Sequence, residues 1–169
     1  MEPRIEPEPA GDGSSPVSVR PSTPSRFCLF MLGKESFAVQ LSQVREVFAL
    51  ESITPVPDMP PMLVGVANFH GTIVPLTDLR SVVGMPISSA PRYAVIVWHE
   101  DQLIGILVDE VPEIVTIEAD EMLDGLPGEL ARRRPFLSGV LKMGGRVSVL
   151  IEISGLVAML EGTVNQQPA

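Results

Sequence analysis

The sequence predicts a mainly β protein made of two similar five-stranded barrels packed together, with short helices. Three observations support this fold. Short apolar runs are separated by Gly, Pro and charged residues, a pattern typical of strands and turns. The two halves of the chain match each other at fixed offsets. About five strands per half are too few for a stable open sheet but enough for a small closed barrel, which removes exposed edges.

Both ends of the chain are predicted to be tails. Residues 1–25 are rich in Pro, Glu, Gly and Ser and contain almost no large apolar side chain. They cannot bury enough surface to offset the entropy of ordering, so we expect disorder. Residues 162–169 are predicted to be a flexible tail, which leaves a folded domain over 26–161.

A hairpin opens each half of this domain. In each hairpin a buried strand, a polar turn and a return strand follow one another. The strands are predicted over 26–32 and 36–41 in the first half and over 92–98 and 103–108 in the second.

The segments between the hairpins have a different character. A helix is predicted to begin at Ser42, because Val44, Val47 and Phe48 would share one helical face. The segment 54–61 contains four prolines, which exclude a helix interior and a central strand. We therefore expect a stiff, extended surface loop there.

The last third of the chain is predicted to be a loop, a strand pair and a helix. Residues 120–134 are polar and punctuated by Gly and Pro, which indicates a long loop with a helical turn. Residues 153–160 are apolar and short, and we expect a terminal helix packed on the body.

An internal repeat connects these elements. At an offset of 74, Gly65, Val66, Gly71, Ile73, Leu76, Asp78 and Leu79 recur as Gly139, Val140, Gly145, Val147, Leu150, Glu152 and Ile153. At an offset of 67, Phe37, Val39, Leu41, Val44, Glu46 and Val47 recur as Ile104, Ile106, Val108, Val111, Glu113 and Ile114. A duplicated barrel explains both offsets, and a single larger β-sandwich with accidental similarity stays open as the alternative.

Composition and charge argue against two classes of partner. The formal net charge is -9, which disfavours nucleic acid and anionic lipid because both attract Lys and Arg. No apolar run approaches the roughly 20 residues of a membrane-spanning helix, so no direct membrane insertion is expected. Residues 1–4 lack the layout of a secretion signal, and we expect a cytoplasmic protein.

The titratable residues do not form a catalytic or metal pattern. Cys28 is the single cysteine and lies in an apolar run, so we expect a small core residue in a reducing compartment. His70 and His99, together with Cys28, offer too few ligands near one another in sequence for a metal site. We therefore expect no metal, no cofactor and no enzymatic activity.

Three acids, Asp78, Asp109 and Glu152, follow apolar strands. Such positions could serve general acid–base chemistry, but an acid there more often caps a helical turn or pairs with a nearby Arg. We predict the cap or ion-pair role for Asp78. The basic cluster 132–134 is predicted to be a solvated loop face, with a contact to an acidic partner as the alternative.

Several motifs resemble one known family. They are Val-Arg-Glu-Val at 44–47, Gly-Val-Ala-Asn-Phe-His-Gly at 65–71, Ile-Val-Pro-Leu-Thr-Asp-Leu-Arg at 73–80 and Gly-Ile-Leu-Val-Asp-Glu-Val at 105–111. The stretch from Gly65 to Arg80 is the most specific of them. Over roughly residues 27–160 the chain resembles CheW, the coupling protein of bacterial chemotaxis.

The resemblance implies two SH3-like barrels and an adaptor that bridges a chemoreceptor to a histidine kinase. The partners would be the cytoplasmic tip of the receptor, within membrane receptor arrays, and the regulatory domain of a CheA-type kinase, which is itself CheW-like. In this family the Val-x-Glu step and the Asn-x-Arg-Gly turn face the receptor-binding groove. By resemblance, protein binding is therefore assigned to Val44, Glu46, Gly65, Asn68, His70 and Gly71.

The sequence departs from the family at position 70, where His stands in place of the usual Arg. His is shorter than Arg and is not permanently charged, so a receptor contact that depends on Arg would change. Two alternatives to an adaptor that binds both partners stay open. The chain could be a divergent relative that binds only one of the two partners, or a small-molecule sensor that uses the seam between the barrels.

Overall fold

The structure is a computed structural model, and it describes residues 24–86, 90–124, 134 and 136–166. Within these ranges the chain forms eleven strands, two short 3-10 turns and one α-helix. The strands are β1 Ser25–Leu32, β2 Glu35–Gln40, β3 Val44–Ala49, β4 Leu63–Phe69, β5 Thr72–Thr77, β6 Tyr93–His99, β7 Gln102–Val108, β8 Glu113–Ile117, β9 Met122–Asp124, β10 Leu137–Met143 and β11 Arg146–Ile151. The 3-10 turns are Leu41–Gln43 and Ala119–Glu121, and the helix, α1, is Ile153–Gln166.

The strands form two sheets, and each sheet mixes strands from both halves of the chain. One sheet, barrel A, has the order β8-β1-β2-β11-β10-β9, and the other, barrel B, has the order β3-β6-β7-β5-β4. The β1–β2 hairpin therefore pairs with the strands of the second repeat. The β6–β7 hairpin pairs with those of the first, so the two repeats have exchanged their hairpins.

Both sheets close in the same way. In barrel B the chain after β3 crosses to β4, where Thr54 and Val66 exchange two backbone hydrogen bonds of 2.9 Å. In barrel A the chain after β8 crosses to β10, where Leu123 of β9 pairs with Val140. Closure pairs the edge strands, which explains why so few strands suffice, six in barrel A rather than the predicted five, and five in barrel B.

The strand registers reproduce the sequence repeat. Leu76 pairs with Gly105 between β5 and β7, and its repeat counterpart Leu150 pairs with Ala38 between β11 and β2. Irregular pairing precedes Gly65 in β4 and also Gly139 in β10. The prediction of two similar barrels is confirmed, and the single sandwich is excluded.

Three apolar clusters fill the molecule. One lies inside barrel A, around Phe27 and Leu29, and one inside barrel B, around Ala94 and Ile96. The largest, the inter-barrel core, combines residues of β1, β2, β6 and β7 with residues of α1. The first strand of each hairpin is therefore buried on both faces, which accounts for its continuous apolar sequence.

The helix predicted at Ser42 is wrong. The chain makes a 3-10 turn over Leu41–Gln43 and continues directly into β3. A β-bulge between Val44 and Glu46 places one extra residue in β3, so Val44 and Val47 face the same core although three positions separate them. Apolar residues three positions apart are also expected on one face of a helix, so the bulged strand produced a sequence pattern that predicted a helix.

The later segments follow the prediction with two differences. The 3-10 turn Ala119–Glu121 matches the predicted helical turn, but it leads into the short strand β9, which the sequence did not indicate. Helix α1 begins at Ile153 as predicted but continues to Gln166, so the prediction of a flexible tail from residue 162 is wrong over 162–166. Residues 1–23, 87–89, 125–133, 135 and 167–169, which include most of the predicted tails and two arginines of the basic cluster, lie outside the described residues.

Candidate functional site

The β4–β5 turn presents three of the predicted site residues. His70 and Gly71 have φ angles of 48° and 85°, the paired positive values of a two-residue hairpin turn. The Asn68 side-chain oxygen accepts a hydrogen bond of 2.8 Å from the Gly71 backbone N–H. Asn68 and Gly71 therefore hold the turn in shape, and His70 stands at its tip.

Glu46 of β3 reaches this turn from the neighbouring edge of barrel B. Its Oε2 atom accepts a hydrogen bond of 2.8 Å from Nε2 of His70. The two side chains are 46% and 72% exposed, so solvent screens the pair and it contributes little to stability. The His70 ring also packs edge-on against Phe69, with 4.4 Å between centroids.

A shallow depression of about 390 Å³ lies beside this pair. It is lined by Arg45, Glu46, Phe69, His70, Thr72 and Leu103. Both signs of charge and two apolar side chains therefore meet on one exposed surface. Such a mixed surface suits a protein contact with an apolar centre and a polar rim.

Val44 and Gly65 lie away from this depression, in the packed interior. Val44 is half-buried and packs on the inter-barrel core. Gly65 is buried, and a Cβ atom built there would overlap the carbonyl oxygen of Thr54. The structure thus brings Glu46, Asn68, His70 and Gly71 together at the surface, while Val44 and Gly65 do not line the depression there.

Barrel A carries a related ion pair at the equivalent place. Glu113 is the repeat counterpart of Glu46, and its Oε2 lies 3.6 Å from the guanidinium of Arg146 at the start of β11. Both side chains are more than half exposed. In each barrel, therefore, the acid of the Val-x-Glu step reaches the hairpin that lies beside it.

A buried ion cluster lies at the ends of β5 and β7. Arg80, which is 3% exposed, donates to Asp78 through Nε at 3.0 Å and Nη2 at 2.8 Å, and its Nη1 lies 3.3 Å from Asp109. The hydrogen bond to Asp78 raises the pKa of Arg80 above its usual value, so the guanidinium stays charged. The ion-pair role predicted for Asp78 is confirmed.

The sequence predicted an Arg partner for Asp78 but did not join Asp109 to the cluster. The signal for the first pair was the Asp-Leu-Arg spacing, since side chains two positions apart on an irregular strand end can fold together. Glu152, the counterpart of Asp78, is exposed. It accepts a long hydrogen bond of 3.4 Å from Ser154 at the start of α1.

The remaining titratable candidates lie apart from one another. Burial raises the pKa of Cys28 to about 11, so its thiol stays protonated at neutral pH. His99 lies 3.9 Å from the carboxylate of Glu100. Within the described part of the chain, no three His, Cys, Asp or Glu side chains are placed to hold a metal ion. Among the same described residues, no helix has both the length and the apolar character needed to cross a membrane.

Comparison with known proteins shows the family of the chain. Residues 26–161 match the family model described as a CheW-like domain. The chain belongs to the CheW-like family. This CheW-like chain is 32% identical over 136 residues to the probable chemotaxis protein CheW of Rhizobium etli, covering 78% of the chain and 86% of the relative. It is 31% identical over 113 residues to the protein PilI of Pseudomonas aeruginosa, covering 66% and 64%.

A solved structure supports the same fold for the CheW-like chain. The crystal structure of the scaffolding protein TtCheW from Thermoanaerobacter tengcongensis superposes with a TM-score of 0.68 at 26% identity. The match covers 78% of this chain and 86% of TtCheW. A match of this extent includes residues of both barrels.

Proposed function

We propose that this CheW-like protein is a chemosensory adaptor in the cytoplasm, recruited to membrane receptor arrays. It couples the cytoplasmic tip of a chemoreceptor to the regulatory domain of a CheA-type histidine kinase. The family match over both barrels and the likeness to a scaffolding protein support this role. The role is non-catalytic and depends on reversible contacts of modest area.

The observation that carries the proposal is the exposed Glu46–His70 pair on the β4–β5 turn. The pair contributes little to the fold, so either side chain can exchange its partner when another protein docks. Asn68 and Gly71 fix the backbone that positions His70. A receptor helix that offers a cation to Glu46 would therefore find it already oriented.

His70 sets the specificity of this surface. The guanidinium of an Arg could bind a carboxylate through two parallel hydrogen bonds, whereas an imidazole ring donates only one hydrogen bond to the same carboxylate. The Glu46 carboxylate therefore keeps more of its hydrogen-bonding capacity for a receptor. We expect the receptor partner of this chain to carry a basic side chain at the matching position.

The test is binding of Glu46→Gln protein to a helical receptor tip. Removing the charge should weaken binding about fivefold or more, the size of a moderate interface contribution. Glu113→Gln is the matched control, because Glu113 occupies the equivalent place in barrel A and also has a basic neighbour. Its binding should stay within about twofold of the parent.

Fluorescence anisotropy with a labelled receptor tip measures both variants, and the same titration with the kinase regulatory domain serves as the second arm. Equal losses for Glu46→Gln and Glu113→Gln would contradict the assignment of the site to barrel B. Binding of the kinase domain without any receptor binding would favour the single-partner form of the protein.

A further inference from the structure

The two barrels differ where their parallel strands meet. In barrel A, β2 and β11 pair at Ser148 with Ser36, at Val149 with Phe37 and at Leu150 with Ala38. The Ser36 and Ser148 hydroxyls also lie 2.6 Å apart and join the strands. This junction of parallel strands, the seam, is therefore paired from Ser148 to Leu150 in barrel A.

In barrel B the same seam opens at one end. The pairs between β5 and β7 are Leu76 with Gly105 and Thr77 with Ile106, and the described pairing stops there. The position equivalent to Val149 is Pro75, which has no backbone N–H to donate and favours an interrupted ladder. The strands consequently diverge toward Thr72 and Gln102.

An apolar groove of about 710 Å³ fills this opening and extends to the C-terminal helix. We call it the seam groove. It is lined by Met59, Leu63, Thr72, Ile73, Pro75, Asp101, Gln102, Leu103, Ile104, Val157, Leu160 and Glu161. Ile73 is 62% exposed at its edge, so its side chain is accessible to a partner in the groove.

The rim of the seam groove has a single sign of charge. Asp101 and Glu161 line it, and no Lys or Arg is among the lining residues. The Gln102 side chain donates a hydrogen bond of 3.0 Å to Glu161 and thereby connects β7 to α1 across one end. An apolar floor with acidic edges complements an apolar segment flanked by basic residues.

We propose that the seam groove binds an amphipathic helix of a partner protein, with an apolar face and Lys or Arg beside it. Strand addition is disfavoured because Pro75 cannot donate to an added ladder. The volume accommodates several apolar side chains at helical spacing, the mode in which one face of a helix inserts into a groove. A second copy of this acidic chain would meet like charge at the rim, which disfavours self-association there.

This surface goes beyond the proposed coupling function, because it is a second docking site on the other side of Thr72 and Leu103 from the Glu46–His70 pair. The depression at that pair is smaller and is lined by charges of both signs, whereas the seam groove is larger and its charged lining residues are all acidic. The two sites can therefore be tested separately.

The experiment titrates the full chain with short synthetic peptides and follows binding by fluorescence anisotropy. One peptide has Leu at helical spacing and Lys elsewhere. A second replaces every Lys by Glu, and a third has the composition of the first in scrambled order. We expect binding of the Leu/Lys helix at tens of micromolar, and at least about tenfold weaker binding of the other two.

Two pairs of variants locate the binding. Ile73→Glu should weaken the Leu/Lys helix about tenfold, whereas Val147→Glu, its repeat counterpart in barrel A and 53% exposed, should change it less than about twofold. Asp101→Lys should weaken it about fivefold. Glu110→Lys, the same charge change at an exposed residue outside the groove, should change it less than about twofold.

The proposal is overturned if Val147→Glu weakens binding as much as Ile73→Glu, or if the Leu/Glu peptide binds as well as the Leu/Lys peptide. All four substituted residues are exposed, so the variants are expected to melt like the parent protein. No receptor or kinase enters this titration, so its failure would leave the proposed coupling function standing.

Discussion

Gly65 lies in β4 directly below the Thr54 carbonyl oxygen that closes barrel B. A methyl group at this position would push against backbone, which cannot rotate away as a side chain can. We expect Gly65→Ala to lower the free energy of unfolding by about 1–3 kcal/mol, the usual cost of overpacking. Urea unfolding followed by circular dichroism measures the change.

Gly162 provides the control for this substitution. A Cβ atom there meets nothing within 4 Å, and the residue lies in α1. Ala favours a helix over Gly by up to about 1 kcal/mol, so Gly162→Ala should leave stability unchanged or raise it. A Gly65→Ala protein as stable as the parent would show that the Thr54–Val66 bridge is not needed for closure.

Truncation of Arg80 should lower the free energy of unfolding more than truncation of an exposed arginine. It is 3% exposed and faces Asp78, whose side chain is 6% exposed. Arg80→Ala would leave a buried carboxylate without its cation, and such a change costs about 3–5 kcal/mol. Arg146→Ala removes an exposed ion pair and should cost less than about 1 kcal/mol. Similar losses in urea unfolding for both variants would contradict the buried role of Arg80.

Some of these residue-scale features could be predicted from sequence and others could not. An acid directly after a buried strand, two positions before an Arg, indicated the ion pair of Asp78. The contact between Glu46 and His70 depends on the bulge in β3 and on the positive φ angle of His70 in the β4–β5 turn. The two residues are 24 positions apart in sequence. Neither conformation leaves a readable pattern, so only the resemblance placed both residues at one site.

Strands could be predicted from sequence where they are apolar on both faces and where polar turns mark their ends. The hairpins β1–β2 and β6–β7 have continuous apolar strands and polar turns, and they lie within a residue or two of the predicted ranges. Strand β9 has three residues and forms only a few ladder pairs. Its counterpart in barrel B is the single bridge at Thr54. Pairing this short is set by barrel closure, not by local sequence.

Helix α1 stabilises the molecule through its buried face. Leu156 is fully buried in the inter-barrel core, and its truncation would leave a cavity between the barrels. We expect Leu156→Ala to cost about 2–5 kcal/mol in urea unfolding. Val147→Ala, the truncation of an aliphatic side chain that is 53% exposed, should stay within about 0.5 kcal/mol of the parent. A comparable loss for both would mean that α1 is not part of the core.

On the scale of the whole molecule, the exchange of hairpins was not predictable. The offsets of 67 and 74 are the same whether a hairpin pairs with its own repeat or with the other one. Side-chain size inside the barrels makes the exchange specific, because Phe27 in barrel A corresponds to Ala94 in barrel B. A hairpin placed in the wrong barrel would therefore be overpacked or leave a void.

The exchange predicts that neither half of the chain folds alone. Residues 24–90 hold the hairpin of barrel A and the remaining strands of barrel B, and residues 91–166 hold the reverse. Each fragment by itself should show no cooperative melting transition by circular dichroism, while mixing the two should restore one. A cooperative melt of either isolated fragment would show that a repeat can close on its own hairpin.

The adaptor role requires that two partners bind at once to one molecule, whose barrels are joined by the inter-barrel core. Size-exclusion chromatography with light scattering tests this directly, using a receptor tip, a CheA-type regulatory domain and this protein. We predict a complex that contains all three and that does not form when this protein is left out. Absence of binding to both partners at tens of micromolar, a range in which weak specific contacts are still detected, would contradict the account.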